Sequence, residues 1–276
     1  MTALLKIINN RDKDYDKKVI KLQKYINDNK EIVINKELFK LAISNRAPVN
    51  GDLINKEGGK IVYPILHHCI KHDSARSEEG DILPFQNVVK ILDEVVNRFV
   101  TPQYFYKLIN FRDQSSESTL LHQAVISNNT DAIEALLKYG ANPLIKNEED
   151  KIPLDLAHGN KKKALIKYMK DQAQSKKEIA RCNSLIGIIP GVFLGIGLGV
   201  GSALVPSMTI ILCTLAVSAL VAGIAIGLAI YFLSQDYKQA KSIEEAVADV
   251  AIDSQLSSVK HEETHVIAGD EATLGI

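Results

Sequence analysis

Residues 119–157 read TLLHQAVISNNTDAIEALLKYGANPLIKNEEDKIPLDLA, and this stretch repeats itself. The pattern Thr-Leu-Leu-His-x-Ala at 119–124 recurs 33 residues later as Ile-Pro-Leu-Asp-x-Ala at 152–157. A fixed period of this length is typical of solenoid proteins, in which each repeat packs on its neighbours. The first copy predicts two short antiparallel helices, the first starting at Thr119 and the second covering residues 131–138.

Several residue types in this copy have an evident structural role. Thr119 is suited to cap the first helix, and His122 is placed to bond back to that cap. Ala124 is small enough for two helices to approach closely, and Gly140 supplies the left-handed residue that ends the second helix. The stretch as a whole resembles an ankyrin repeat, with its Thr-Pro-Leu-His-x-Ala signature, and Pro153 restores the signature proline in the following copy.

A weaker copy lies upstream, at residues 64–69, with residues 87–96 (NVVKILDEVV) as its second helix. Its offset to Thr119 is longer than 33 residues, which predicts insertions at 73–83 and 98–112. The second insertion should hold an extra helix that starts at Thr101-Pro102 and ends near Asn110.

The ends of the array are less regular. The third copy begins at Ile152 and continues into the lysine-rich segment 161–181, which should cap the stack. Residues 15–45 have helical periodicity and predict either a cap at the other end or a degenerate repeat.

From Cys182 to Gln235 the chain has no Asp, Glu, Lys, Arg or His. About 20 apolar residues suffice to cross a bilayer, so this stretch predicts two spans, Leu185–Val205 and Met208–Leu233, joined by a tight turn. Residues 161–181 carry eight basic side chains against two acidic ones. By the positive-inside rule we expect a multi-pass membrane protein with two spans and both termini cytosolic. The alternative is a hairpin buried in a soluble protein, as in pore-forming toxins.

Small residues recur four apart along both expected spans, and such rows allow helices to pack closely in lipid. They indicate packing of the two spans on each other, and a further possibility is a homo-oligomer, with a pore as its extreme form. The absence of intramembrane charge argues against conduction. The rows are Gly187, Gly191, Gly195 and Gly199 in the first span, and Ala219, Gly223 and Gly227 in the second.

One motif is typical of an enzyme. His261, Glu262 and His265 match H-E-x-x-H, in which two histidines bind zinc and the glutamate acts on a bound water. Glu263 inside the motif, the short tail after it and the lack of a surrounding core argue against a zinc hydrolase. We therefore expect no enzyme activity and no cofactor or metal.

A cluster of His67, His68, Cys69 and His72 also offers metal-ligating side chains. His67 and Cys69 fall at the His and Ala positions of the repeat signature, so a structural role is the simpler interpretation.

The charge distribution argues against nucleic acid as a partner. Lys and Arg number 33, equal to Asp and Glu, and the basic excess is confined to 161–181, next to the apolar stretch. This distribution favours anionic lipid over nucleic acid.

Ankyrin repeats present turn tips and first helices to protein partners, so the resemblance implies a membrane-anchored adaptor for an unidentified protein. A Lys- and Ile-rich chain that combines divergent repeats with an apolar hairpin also resembles the ankyrin-repeat proteins of obligate intracellular bacteria such as Wolbachia and Rickettsia. That likeness implies a host-directed effector. The implied protein-binding residues are Gln123, Ser127, Asn147, Glu148, Glu149 and Lys151.

The expected fold class is therefore all-α, a short ankyrin solenoid of about three divergent repeats followed by a two-helix transmembrane hairpin and a flexible acidic tail. A capping box at Ser242 predicts a short amphipathic helix in the tail, with Ile243, Val247 and Val250 on one face. The expected domains are a helical cap or degenerate repeat (1–60), the repeats with the basic segment (61–181), the hairpin (182–235) and the tail (236–276).

Overall fold

The computed structural model describes residues 3–9, 15–29, 31–44, 51–72, 75–204, 209–250 and 252. These residues are mostly helical, and they fall into two compact units, 1–168 and 169–276. The helices are α1 (Ala3–Asn9), α2 (Tyr15–Asp28), α3 (Lys36–Ser44), α4 (Gly51–His72), α5 (Phe85–Phe99), α6 (Pro102–Ile109), α7 (Leu120–Ile126), α8 (Thr130–Lys138), α9 (Gly159–Leu204), α10 (Thr209–Leu233) and α11 (235–250).

The first unit is a stack of helix pairs. α2, α4 and α7 pack in sequence as one row, and α3, α5 and α8 pack in sequence as a second row. Each row is held by apolar side chains that are fully buried, among them Leu22, Phe39, Leu66, Leu92 and Leu136. α2 and α3 thus occupy the places of a first and a second helix in these rows.

Two short strands depart from the all-α expectation. β1 (Ile32–Val33) pairs in parallel with β2 (Ala75–Arg76). In the chain, β1 lies between α2 and α3, and β2 lies between α4 and α5. After β2 the expected first insertion forms a tight hairpin, in which the amide of Leu83 donates to the carbonyl of Ala75 at 2.9 Å. When similar helix pairs stack side by side, the segments that connect their helices come to lie next to each other in the same direction.

The second expected insertion is confirmed as α6. Thr101 caps it by accepting a hydrogen bond from the amide of Tyr104, and Pro102 occupies the first turn. The helix ends at Asn110, as the sequence predicted.

α4 differs from the prediction because it begins at Gly51, well before Pro64. The helix therefore runs through the boundary expected between residues 60 and 61. Gly58 and Gly59 allow this extension to lie against the inserted segment, since a methyl group added at either position would collide with Tyr104 or with the ring of Phe111.

In the second unit α10 contacts α9. Gly227 of α10 lies against Ile188 and the carbonyl of Ser184 on α9. Within the described residues one helix, Thr214–Leu233, is long and apolar enough to cross a membrane. The first expected span is the end of the 46-residue α9, and the joining residues 205–207 lie outside the described part. Two spans therefore stay a prediction.

The acidic tail is helical where the structure describes it. α11 starts at 235, not at Ser242, because Ser234 caps it by accepting from the amide of Tyr237 at 3.2 Å. Ile243 and Val247 are buried, while Val250 is half-buried.

α11 is paired with the basic segment of α9, where Lys177 Nζ lies 2.7 Å from a Glu244 carboxylate oxygen and Lys176 lies 3.6 Å from Asp236. Residues from 169 onward belong to the second unit, which therefore includes this part of the basic segment.

Candidate functional site

His122 joins its own helix to the next repeat. The Thr119 amide donates to His122 Nδ1 at 3.1 Å, and the Thr119 hydroxyl lies 2.9 Å from the same nitrogen. Nδ1 is therefore an acceptor, which leaves the proton on Nε2, 3.0 Å from the carbonyl oxygen of Lys151. Burial lowers the pKa of His122, outweighing the effect of that carbonyl. His122 thus contacts both the start of its own helix and the turn before the next repeat.

The turns that precede successive repeats, residues 111–118 and 145–151, are called fingers below. They are bonded to each other through the amide of Glu148, which donates to the carbonyl of Ser116 at 3.1 Å. Arg112 of the first finger donates to the carbonyl of Lys146 on the second at 2.9 Å and is paired with Glu117. The side-chain oxygen of Asn110 accepts a hydrogen bond from the amide of Asn142 at 2.7 Å, which adds a further link between neighbouring repeats.

A polar groove lies beside the first finger. It consists of two cavities of about 370 and 140 Å³, between α2, α4 and the finger, and α7 contributes to the larger. Both cavities are lined by Gln23, Tyr63, Pro64, Asp113 and Ser115, so these residues form the common wall.

Asp113 and Tyr63 set the electrostatics of this groove. Burial opposes ionisation of Asp113, but hydrogen bonds from Ser115 and Ser116 outweigh it and hold the pKa of the carboxyl below its ordinary value. Burial and the nearby Asp113 charge raise the pKa of the Tyr63 hydroxyl, so this group stays neutral. Burial lowers the pKa of His67, and Lys71 lowers it further.

The implied binding residues fall into three groups. Gln123 lines the larger cavity of the groove, while Ser127 ends α7 and lies with Lys71 and His72 at a separate shallow depression. Asn147 is occupied by its own finger, because its side-chain oxygen accepts from the amides of Glu149 and Lys151.

The finger tip itself is exposed. Glu149 and Lys151 form an ion pair at 2.7 Å, and Glu148 carries an exposed carboxylate. Sequence reasoning missed Tyr63 and Asp113, which lie outside the signature positions.

The repeat-structural residues are found where the pattern placed them. Gly140 has a φ of +90°, and the amide of Ala141 donates back to the carbonyl of Leu136 at 2.8 Å, which closes the end of α8. Ala124 is fully buried, and Pro153 opens a short 3-10 turn (Pro153–Leu156). The third copy therefore begins with a single 3-10 turn.

The side chains of the histidine cluster have different surroundings. Cys69 is buried in the core, whereas His68 and His72 stack with ring centroids 4.7 Å apart. Among the residues that the structure describes, no three His, Cys, Asp or Glu side chains converge as metal ligands would. His261, Glu262 and His265 lie outside the described residues.

The surface of α10 is apolar. Val217, Val221 and Phe232 are each more than half exposed, while Gly223 and Gly227 face inward and Ala219 is half-buried. The row Gly187, Gly191, Gly195 and Gly199 belongs to α9, but the surroundings of these four residues lie outside the described part.

Comparison with known proteins identifies the repeat. The family model of the ankyrin repeat matches residues 116–148. Alpha-latrotoxin-Lg1a of Latrodectus geometricus is 28% identical over 146 residues, which is 48% of this chain and 10% of the toxin. Palmitoyltransferase ZDHHC13 of Pongo abelii and of Homo sapiens is 34% identical over 70 residues, which is 25% of this chain and 11% of each relative.

The chain thus spans about a tenth of the length of these relatives. No solved structure matches it. The matched residues 116–148 contain the end of the first finger, α7 with its His122 cap, and α8 with its glycine end. This chain is therefore a protein that carries an ankyrin repeat.

Proposed function

We propose that this protein is an adaptor that captures a protein partner through its ankyrin repeats while the apolar helices of its second unit hold it at a membrane. The observation that carries the proposal is the row of bonded fingers beside the polar groove. Ankyrin repeats generally bind proteins, and a fixed row of polar groups provides a preorganised contact surface.

The rigidity of the fingers supports binding. The bonds from Glu148 to Ser116 and from Arg112 to Lys146 fix each finger against the next, so their side chains lose little further conformational freedom when a partner docks. The exposed carboxylate of Glu148 and the Glu149–Lys151 pair then lie at the edge of this surface.

The exposed side chains of α10 support the membrane part. A helix with this much apolar surface and no charge is unfavourable in water and favourable in lipid. Tyr231, Phe232 and Tyr237 cluster where α10 gives way to α11, and aromatic side chains are typical of the membrane boundary. The contact at Gly227 supports a hairpin of two spans with both ends on one side, the cytosolic side by the basic flank.

Proximity labelling from the full-length protein tests partner capture. We expect a set of labelled proteins that is lost when residues 63–170 are deleted and reduced when Glu148 and Glu149 at the finger tip are both changed to Ala. The matched control is Glu134→Ala, an exposed carboxylate on α8, in the other row of helices. Labelling that is unchanged by the deletion would disprove the adaptor role.

Membrane attachment is tested separately by fractionation. The protein should remain in the membrane pellet after an alkaline wash, and Val221→Arg on the exposed face of α10 should release it. Ala248→Arg on the exposed face of α11 is the control. Tags at both termini that are equally accessible to protease on the cytosolic side would support the hairpin topology, and opposite accessibility would exclude it.

The host-directed effector role rests on composition and on the combination of repeats with apolar helices. We retain it as part of this proposal. Detection of the protein in the cytosol or membranes of an infected host cell is the corresponding test.

A further inference from the structure

The weaker upstream repeat contains a histidine that has lost its capping role. His67 occupies the signature position that His122 occupies in the next repeat. His122 bonds to the start of α7, but α4 begins at Gly51, so His67 lies inside a helix, far from its start. The space beside it is the polar groove.

The Tyr63 hydroxyl is buried in this groove without a well-formed hydrogen bond. Tyr63 is only 4% exposed and lines both cavities, yet no atom among the described residues meets hydrogen-bond geometry with its oxygen. The Gln123 side chain interacts with this hydroxyl and lowers the pKa of the tyrosine by hydrogen bonding, but the contact falls short of full hydrogen-bond geometry. A buried hydroxyl left unpaired costs free energy, and a ligand that bonds to it recovers that cost.

Asp113 offers the second half of the site. One of its carboxylate oxygens accepts from the amides of both Ser115 and Ser116 and from their hydroxyls. These bonds fix the carboxylate in its charged form, and they involve only Oδ2. The charge beside Tyr63 is therefore negative and held in place by the finger.

The aromatic rings complete the site. The ring of Tyr63 lies against that of Phe111, with centroids 5.9 Å apart and planes inclined by 53°. Phe111 lines the smaller cavity next to Asp113. A planar cation with several N–H donors fits such surroundings better than a compact ammonium, because it can stack on a ring and bond to several acceptors at once.

We propose that this groove receives an arginine side chain of the protein partner, whose guanidinium pairs with Asp113 and bonds to the Tyr63 hydroxyl. This inference rests on the proposed partner capture and names the chemistry that the partner must present. Lys71 lines the larger cavity and Lys60 the smaller, and both oppose a cation. Asp113, however, is the charge that acts on the Tyr63 hydroxyl, and it also acts on His67, where Lys71 opposes it.

The test is a titration of the full-length protein in lipid nanodiscs with N-acetyl-arginine-N-methylamide, followed by NMR of the Tyr63 and His67 side chains. Both signals should shift and saturate with a Kd on the order of 1 mM, as expected of a ligand this small. The citrulline analogue, which has the same shape without the charge, should bind at least about 10-fold more weakly.

Two variants locate the site. Asp113→Asn keeps an oxygen for the two serines and places an amide where the free carboxylate oxygen was, so arginine binding should weaken about 10-fold or more. Tyr63→Phe removes only the hydroxyl and should weaken binding by a few-fold, measured on His67. Asp131→Asn, an exposed carboxylate at the start of α8, is the matched control and should change nothing.

Three results would overturn the inference: no shift with the arginine probe, equal binding of the citrulline analogue, or a stronger shift with N-acetyl-glutamate-N-methylamide. Proximity labelling distinguishes this failure from failure of the adaptor role. Labelling that depends on 63–170 but not on Asp113 or Tyr63 would disprove the arginine site alone. Arginine binding without repeat-dependent labelling would disprove the adaptor.

Discussion

At the scale of the residue, the bonds of His122 make the repeat sensitive to acid. Nδ1 of His122 accepts a hydrogen bond from the Thr119 amide. Protonation of Nδ1 would turn this acceptor into a donor, and two N–H donors would then face each other. The folded state therefore binds this proton less readily than the unfolded chain, in which the pKa is near 6.5. The stabilising contribution is complete above that value and is lost as the pH falls below it.

We therefore predict that the free energy of unfolding of the first unit decreases as the pH is lowered from 7 to 5, by up to about 1.4 kcal/mol per pH unit for each such histidine. His67 has its pKa lowered in the same direction, mainly by burial. Urea unfolding at a series of pH values measures this dependence. In His122→Gln the slope should become smaller, and an unchanged slope would show that His122 is not the titrating group.

Gly140 is a second residue whose substitution has a defined effect. Its φ of +90° is unfavourable for other residues, while the space around it is open, so the cost of a side chain is conformational and not steric. Gly140→Ala should lower the free energy of unfolding by about 1 kcal/mol. Gly140→Asn should cost less, because Asn tolerates this conformation better, and the reverse order in urea unfolding would contradict the explanation.

At the scale of the element, sequence patterns predicted best where one segment determines its own structure. The cap at Thr119, the glycine end at Gly140 and the inserted helix α6 all depend on bonds between neighbours in sequence. The start of α4 was missed because the extension of this helix packs against a distant segment. The start of α11 was missed for a different reason, since the cap lies at Ser234 and the sequence prediction placed it at Ser242. The groove was missed for the same reason as the start of α4, since Tyr63 and Asp113 are 50 residues apart and meet only after the helices stack.

The helix pair in the second unit depends on close approach at one glycine. A methyl group at Gly227 would collide with Ile188 and come within 3.0 Å of the Ser184 carbonyl oxygen. We predict that Gly227→Leu separates α10 from α9, at a cost of about 1–3 kcal/mol or more. Ala225→Leu is the control, because Ala225 is exposed.

Spin labels at native Cys182 and at Leu233→Cys, both exposed positions, report this separation when the other cysteines are replaced by Ser. The measured distance should lengthen or broaden in Gly227→Leu and stay unchanged in Ala225→Leu. A distance that does not respond would mean that the two helices are not held together at Gly227, and that the small residues serve contacts between molecules instead.

At the scale of the whole molecule, each of the two alternatives to an adaptor requires features that an adaptor does not need. A pore needs polar groups along a membrane path, yet α10 has no Asp, Glu, Lys, Arg or His, and its small residues Gly223 and Gly227 face inward. A zinc hydrolase needs a third ligand and a cavity near His261 and His265. An adaptor needs only an exposed face of repeats, which the fingers and the groove supply.

The sharpest test of these alternatives is a pair of measurements on one preparation in liposomes. We predict that a trapped dye is retained at high protein-to-lipid ratio, because an apolar helix pair packed through its small residues offers ions no path across the hydrocarbon core. We also predict less than stoichiometric zinc by elemental analysis, with no difference between the native chain and Glu262→Gln. Dye release that Gly227→Leu abolishes would favour a pore, and one zinc per chain with an activity lost in Glu262→Gln would favour the hydrolase.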